Sequence, residues 1–152
     1  MLRRLLPWTF AILGCLAVAA PAQAQNVGVR AGASVDPDQF YFGGHLETRA
    51  IVDRLHLRPN LEIGVGDDVT TVAVNIEAVY KVPMRRSPWT VYLGGGPAIN
   101  YYNFSNDRGS DTRGGLNLLI GLETDQGLFF EVKGGLWDSP DLKFGIGYTF
   151  GR

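Results

Sequence analysis

Two histidines, His45 and His56, are the residues of this chain best suited to acid–base chemistry. A neutral imidazole can act as a general base when a serine or threonine hydroxyl lies within hydrogen-bond reach. The nearest candidate nucleophile is Ser34, which follows Arg30 by four residues. A register estimated from the turn centres puts His45 opposite Arg30, so Ser34 would lie about 13 Å along the strand from the level of His45. We therefore expect both histidines to have structural roles.

Charged side chains accompany the histidines at every second position, which indicates ion pairing. The estimated register places Glu47 opposite His56, with Arg49 and Arg58 nearby, and brings His45 close to Arg58. The side chains that share this spacing, and that we predict to form one lumen network, are Arg30, His45, Glu47, Arg49, His56, Arg58, Glu62, Glu77, Lys81, Glu123, Glu131, Lys133 and Lys143. Their six Arg and Lys nearly compensate their five Glu, as an enclosed interior requires.

The other motifs that could bind a ligand are weak. The segment Asn106 to Asp111 has its glycine at the wrong offset for a calcium loop and no glutamate to close it. The triplet Gly94-Gly95-Gly96 is not followed by a helix, so it does not form a phosphate-binding loop. We expect no catalytic residues, no metal and no cofactor.

The elements that must position these residues are strands. After the first 24 residues no window shows helical spacing, while apolar and polar residues alternate through eight runs separated by turn residues. One run places Leu118, Ile120 and Leu122 on one face and Asn117 and Glu123 on the other. The alternation predicts an all-β chain with one apolar and one polar face.

Eight such strands fit either a soluble lipocalin-like barrel, with the apolar face inward, or an outer-membrane barrel, with the apolar face toward lipid. Glycines favour the second interpretation, since ten of them share the polar face, where small residues make room for charged pairs inside a narrow barrel. These are Gly28, Gly32, Gly43, Gly64, Gly94, Gly96, Gly115, Gly121, Gly145 and Gly147. The sequence therefore predicts an eight-stranded antiparallel up-and-down transmembrane β-barrel with a polar interior and a lipid-facing apolar exterior.

The first 24 residues are typical of a cleaved secretory signal peptide. Arg3 and Arg4 precede an apolar stretch from Leu5 to Ala20, and Pro21-Ala22-Gln23-Ala24 ends in a small-x-small cleavage pattern. A membrane anchor is the first alternative, although 16 apolar residues span only about 24 Å as a helix. A lipoprotein leader ending at Cys15 is the second.

Removal of this segment leaves residues 25–152 as one domain. Without Arg3 and Arg4 the chain carries 12 basic against 15 acidic side chains, a balance that argues against a nucleic-acid partner. The only cysteine, Cys15, would leave with the leader. No disulfide or cysteine nucleophile would remain.

The last run, Leu142 to Phe150, and the eight alternating strands resemble the small outer-membrane β-barrel superfamily, the OmpA/OmpX and opacity-type porin-like proteins of Gram-negative bacteria. In that family a C-terminal strand with alternating aromatics and a terminal Phe is read by the barrel-assembly machinery. Phe144, Tyr148 and Phe150 match this pattern, while Gly151-Arg152 follow the Phe and depart from it. The resemblance implies periplasmic termini, outer loops near 36–39, 66–70, 102–113 and 138–141, and turns near 50–54, 83–88 and 124–127.

We expect a non-enzymatic, monomeric integral outer-membrane protein with a structural or envelope-related role and a lumen plugged by its own side chains. Its partners would be outer-membrane lipid, lipopolysaccharide and, through the strand ending at Phe150, the assembly machinery. Two alternatives stay open: a small pore or solute-binding protein, and a lipid-modifying enzyme. The third outer loop, beginning at Tyr102, is the best candidate to contact another molecule, and the acidic outer loops could bind divalent cations that bridge to lipopolysaccharide phosphates.

Overall fold

The computed structural model describes residues 24–105 and 109–151. Except for Ala24, the predicted leader, including Cys15, lies outside this range, and so do residues 106–108 and Arg152. Eight strands occupy the described residues: β1 (Ala24–Val35), β2 (Gln39–Thr48), β3 (Leu55–Val65), β4 (Val69–Pro83), β5 (Trp89–Phe104), β6 (Ser110–Thr124), β7 (Leu128–Trp137) and β8 (Leu142–Phe150).

The strands close into a barrel in sequence order. Each strand pairs antiparallel with the next, and β1 pairs with β8 through residues such as Val27 with Phe150 and Val35 with Leu142. Closure leaves no unpaired sheet edge among these strands. The predicted eight-stranded antiparallel up-and-down fold is therefore confirmed.

The connections define two ends of the barrel. The loop end carries the segments 36–38, 66–68, 105–109 and 138–141, and the turn end carries 49–54, 84–88 and 125–127. The prediction of a long third loop over 102–113 is wrong, because β5 continues to Phe104 and β6 already begins at Ser110. Pairs such as Tyr102 with Asp111 extend the β5–β6 ladder through most of that segment.

The two ends carry opposite charge. Among the described residues, seven Asp and one Arg give the loop end a net charge of −6: Asp36, Asp38, Asp67, Asp68, Asp111, Asp138, Asp141 and Arg113. Four Arg and two Asp give the turn end a net charge of +2: Arg49, Arg54, Arg85, Arg86, Asp53 and Asp125.

The alternation sorts the side chains as the sequence predicts. Large apolar side chains lie exposed on the outside of all eight strands, and Phe40, Leu118 and Ile146 are examples. The inward positions bury most of the polar and charged residues, including Arg58 and Glu77, which have no exposed surface. The barrel thus has an apolar exterior and a polar interior. The described residues contain no helix long and apolar enough to cross a membrane.

Inward glycines make room for large lumen side chains. A Cβ added at Gly121 would lie 2.1 Å from the Tyr92 ring, and one at Gly147 would lie 2.3 Å from the Phe129 ring. Neither position can carry a side chain while these rings keep their places. The inward glycines therefore mark space already filled by neighbouring strands.

Candidate functional site: the lumen ion network

One group of ion pairs surrounds Glu62, which β3 directs into the lumen. Its carboxylate lies 3.1 Å from Nη1 of Arg30 and 3.0 Å from Nζ of Lys133, and it also pairs with Lys143. Lys133 also donates to Glu77 at 2.7 Å. We call these five residues the Glu62 cluster; they come from β1, β3, β4, β7 and β8.

A second group lies around Glu47 of β2. Nη2 of Arg58 is 2.6 Å from Oε2 of Glu47, and Nζ of Lys81 is 2.5 Å from Oε1 of the same carboxylate. Both cations also reach Glu123, Lys81 at 2.9 Å and Arg58 at 3.3 Å. We call these four residues the Glu47 cluster, which borders a cavity of about 370 Å³ at the turn end.

Glu131 of β7 joins the two clusters. Its carboxylate lies 3.3 Å from Arg30, 3.5 Å from Lys133 and 3.4 Å from Arg58. It also accepts a 2.9 Å hydrogen bond from the hydroxyl of Tyr92 on β5. Because Tyr92 completes the set, all eight strands contribute to one connected network.

The charges of the network cancel. Five cations and five carboxylates are buried together: Arg30, Arg58, Lys81, Lys133, Lys143, Glu47, Glu62, Glu77, Glu123 and Glu131. Charges removed from water must be paired, because an isolated one costs many kcal/mol to bury. The sum of zero means that the enclosed charge needs no counter-ion from outside the chain.

Three asparagines extend the network across the barrel. The Asn117 amide donates to Asn75 at 2.8 Å, Asn75 donates to Asn60 at 2.7 Å, and Asn60 donates to Glu77 at 2.9 Å. An amide both donates and accepts, so such a chain satisfies buried polar groups of successive strands. The sequence interpretation did not include Asn60 and Asn75 among the predicted network residues, although their inward spacing could have revealed them.

Four apolar side chains also occupy the lumen; the sequence interpretation put Tyr92 on the polar face and missed the other three. Val79, Tyr92, Leu119 and Phe129 form a buried cluster inside the barrel. The Arg58 guanidinium lies 4.7 Å from the Tyr92 ring centroid and 5.6 Å from that of Phe129. Val79 lies between Glu77 and Lys81 at inward spacing, so strict alternation could have placed it here.

Two residues of the predicted network lie outside the lumen, and a third, His45, is buried in the lumen but has no ion pair with the network among the described residues. Arg49 is exposed, because β2 ends at Thr48 and the chain has already left the barrel wall. His56 is half-buried, and its Nδ1 lies 2.9 Å from the backbone oxygen of Thr48. Without Arg49 the predicted excess of one positive charge disappears.

The estimated register is corrected at two pairs. His45 lies opposite Gly28, and Arg30 lies opposite Gly43, which shifts the predicted β1–β2 pairing by two residues. Glu47 faces Arg58 in the lumen instead of His56. The β1–β2 estimate assumed a loop over 36–39, whereas β2 already begins at Gln39, which pairs with Ser34, so the assumed turn centre was displaced.

His45 has a hydroxyl neighbour, but it comes from Thr149. Its Nε2 lies 3.0 Å from Oγ1 of Thr149, and its Nδ1 has no hydrogen-bond partner among the described residues. A nucleophile–base pair normally needs a third group to orient the base. Both side chains are buried, and Ser34 donates elsewhere, to the backbone oxygen of Pro37. The described residues contain no cluster of His, Cys, Asp and Glu arranged to hold a metal.

The loop end of the lumen is covered by residues 138–141. Asn100 and Tyr102 point inward from β5 and donate to the backbone oxygen of Asp138 at 3.1 and 3.0 Å. Ser139 and Pro140, at the centre of this segment, are buried. The β7–β8 connection therefore folds over the mouth of the barrel.

Comparison with known proteins shows which solved structures share this fold. No model of a known protein family and no curated protein matches the sequence. The N-terminal β-barrel domain of Pseudomonas aeruginosa OprF superimposes with a TM-score of 0.60 at 16% identity, covering 84% of this chain and 99% of that one. Neisserial surface protein A gives 0.58 at 13% identity, covering 82% and 93%, and the outer membrane enzyme PagL gives 0.51 at 13% identity, covering 82% and 97%. The chain has the fold of the small eight-stranded outer-membrane β-barrels.

Proposed function

We propose that this protein is a non-enzymatic integral outer-membrane barrel with a structural or envelope-related role and a lumen closed by its own side chains. The observation that carries the proposal is the lumen network, in which ten buried charges cancel and residues of all eight strands are linked. Such a lumen stabilises a barrel wall and leaves little space for a solute.

Residence in the outer membrane follows from the exterior. Apolar side chains such as Leu93, Ile120 and Phe144 cover the outside of the strands, and a protein in water rarely exposes so large an apolar surface. The structurally similar PagL is an outer-membrane enzyme and NspA is a surface protein, which supports the same location here. Export through the predicted leader, residues 1–24, belongs to this proposal.

Three partners belong to the proposal. Outer-membrane lipid and lipopolysaccharide would surround the apolar exterior. The barrel-assembly machinery would recognise β8, where Phe144, Tyr148 and Phe150 all point outward. We propose a monomer, since the closed barrel leaves no unpaired strand edge among the described strands.

The fold alone does not exclude an enzyme, because PagL is one. The arrangement of the histidines supports the non-enzymatic role: His45 is enclosed in the lumen without an orienting partner among the described residues, and His56 faces a backbone oxygen. Incubation of the folded protein with lipopolysaccharide and phospholipid, followed by mass spectrometry, should show no released acyl chain. Release that is lost in His45→Ala or His56→Ala would contradict the proposal.

The pore alternative depends on the inner glycines marking open volume. In the structure they lie against neighbouring backbone and rings: a Cβ at Gly94 would meet the Ala78 oxygen at 2.4 Å, and one at Gly145 would meet the Tyr41 hydroxyl at 2.4 Å. This packing favours the closed lumen over a pore.

Single-channel recording in planar bilayers tests the closed lumen. We expect the wild-type protein to insert without a stable open conductance. A variant with the plugging rings shortened, Tyr92→Ala with Phe129→Ala, should conduct more if it folds, because the two side chains fill the lumen beside Arg58. A large, stable conductance from the wild type would overturn the proposal and favour the pore.

A further inference from the structure

The loop end contains a cavity of about 270 Å³ that lies outside the lumen network. Its lining includes three aromatic rings and three carboxylates, those of Tyr102, Phe104, Trp137, Asp36, Asp138 and Asp141. Small-molecule pockets combine an apolar wall with a few polar groups in this way, and most are about 300 Å³ or larger. The cavity is therefore suited to a small ligand.

Trp137 is held in an unusual conformation beside this cavity. Its φ of 59° lies in the left-handed region, and the residue is 79% exposed. Four described non-glycine residues have positive φ, and the two at the loop end, Asp36 and Trp137, both line the cavity. Left-handed backbone is costly for a bulky residue, and such strain concentrates at ligand sites. Trp137 thus presents a ring to the medium at a conformational cost.

The cavity already holds one organic cation from the chain itself. The Arg113 guanidinium lies 2.7 Å from the Asp111 carboxylate, 3.8 Å from that of Asp138, and 5.7 Å from the Tyr102 ring centroid. The hydrogen bond from Arg113 also lowers the pKa of Asp111, which lies beyond the apolar surface of β6. Arg113 thus shows that a cationic group can lie here between carboxylates and an aromatic ring.

The remaining carboxylates outnumber the cations. Asp36 and Asp141 have no ion-pair partner within 24–105 and 109–151, and Asp138 shares Arg113 with Asp111. The acidic loop end adds a negative potential that concentrates cations at the mouth. A phosphorylated or carboxylated ligand would be repelled by the same charges.

One buried polar atom at the cavity is also unsatisfied. Ser139, only 6% exposed, lines the cavity, and its Oγ has no hydrogen-bond partner in the described part of the chain. A hydroxyl without a partner in a buried position is unusual and can bond a polar group of a ligand.

We propose that this cavity binds a small organic cation, an alkylammonium group carried on a short polar body. The face of Trp137 would contact the ammonium group through a cation–π interaction, as aromatic cages do. Asp36 and Asp141 would supply the opposite charge, and Ser139 would bond the polar body. The inference does not depend on the closed lumen, since the cavity lies at the mouth.

Choline is a suitable probe, and its uncharged isostere 3,3-dimethylbutan-1-ol is the control. The full chain, folded in lipid nanodiscs, would be titrated while NMR follows the Trp137 indole and the backbone amides of Trp137, Asp138, Ser139 and Asp141. We expect saturable shifts with choline and binding at least about tenfold weaker for the isostere. Equal binding of the isostere, or the same shifts with glucose, would overturn the assignment to a cation.

Matched carboxylate variants distinguish binding in the cavity from general electrostatic attraction to the acidic loop end. Asp36→Asn with Asp141→Asn should weaken choline binding at least about fivefold, while Asp67→Asn with Asp68→Asn removes the same charge from another loop and should change it less than about twofold. Equal weakening by the two pairs would overturn the site.

Trp137→Ala should abolish the shifts in residues 138–141, and Trp137→Phe, which keeps an aromatic ring, should retain them. Unchanged binding in a folded Trp137→Ala protein would also overturn the proposal. If the alanine variant does not fold, the comparison of Trp137→Phe with Trp137→Leu decides the role of the ring, since only the aromatic variant should bind.

Discussion

Lys133 and Lys81 carry the same charge in different surroundings. The Lys133 side chain is 1% exposed and lies within 3.5 Å of Glu62, Glu77 and Glu131. The Lys81 side chain is 10% exposed and borders the turn-end cavity. Water can take over part of the role of an ammonium at the cavity but cannot do so in the interior.

Replacing each lysine by methionine should therefore have unequal effects. Lys133→Met leaves three carboxylates short of a cation and should lower the free energy of unfolding by about 3 to 5 kcal/mol. Lys81→Met should cost clearly less, because Lys81 and the two carboxylates with which it pairs border the turn-end cavity, where water can take the place of the ammonium. Urea unfolding in lipid vesicles measures both values, and a larger loss for Lys81→Met would contradict the assigned burial.

Glu47 and Arg58 should behave as a coupled pair. Their 2.6 Å contact predicts that Glu47→Ala and Arg58→Ala together destabilise the barrel less than the sum of the single changes, by about 0.5 to 3 kcal/mol. The control pair is Glu47→Ala with Lys143→Ala, since Lys143 pairs with Glu62 in the other cluster. The free energies of unfolding measured in both double-mutant cycles test this coupling. Additive losses at Glu47 and Arg58 would show that their contact does not contribute to stability.

At the scale of the strand, the sequence predicted which way the charged residues of the lumen point but not which of them meet. Alternation alone sufficed to place Glu62 and Lys133 in the lumen. Register depends on loop geometry and on tilt around the closed barrel, so His45 met Thr149 of β8 instead of Arg30. The inward apolar residues were missed for another reason. Phe129 follows Leu128 in an apolar run, so the sequence pattern does not show which of the two side chains points into the lumen.

Outward and inward positions of β6 should respond differently to charge. Leu118→Arg, at a position 53% exposed on the apolar exterior, should cost about 2 to 4 kcal/mol near the bilayer midplane. Thr112→Arg, also outward but beyond the apolar residues of β6, is the matched control and should cost about 1 kcal/mol or less. Asn117 cannot serve as a control, because it is buried and donates to Asn75. Refolding into bilayers tests the pair, and equal costs would mean that Leu118 does not face lipid.

At the scale of the whole molecule, the apolar exterior predicts where the protein partitions. After expression in a Gram-negative host, the protein should stay in the outer-membrane fraction through an alkaline carbonate wash, because its exposed aliphatic and aromatic side chains are stable only in lipid. Immunoblotting of fractions is the measurement, with a soluble periplasmic protein as the control. Release into the soluble fraction would favour the lipocalin-like alternative.

The opposite charges of the two ends make the barrel an electric dipole aligned with its axis. The charges of the lumen network sum to zero, so the dipole comes from the charged residues at the two ends. Among the described residues these sum to −6 at the loop end and +2 at the turn end. Salt screens the field of such charges over about 10 Å at 0.1 M ionic strength, so each end acts mainly on the solution beside it. The loop end attracts cations and repels anions, and the turn end does the reverse. An ion that approaches the barrel is therefore selected by the sign of its charge before it contacts any side chain.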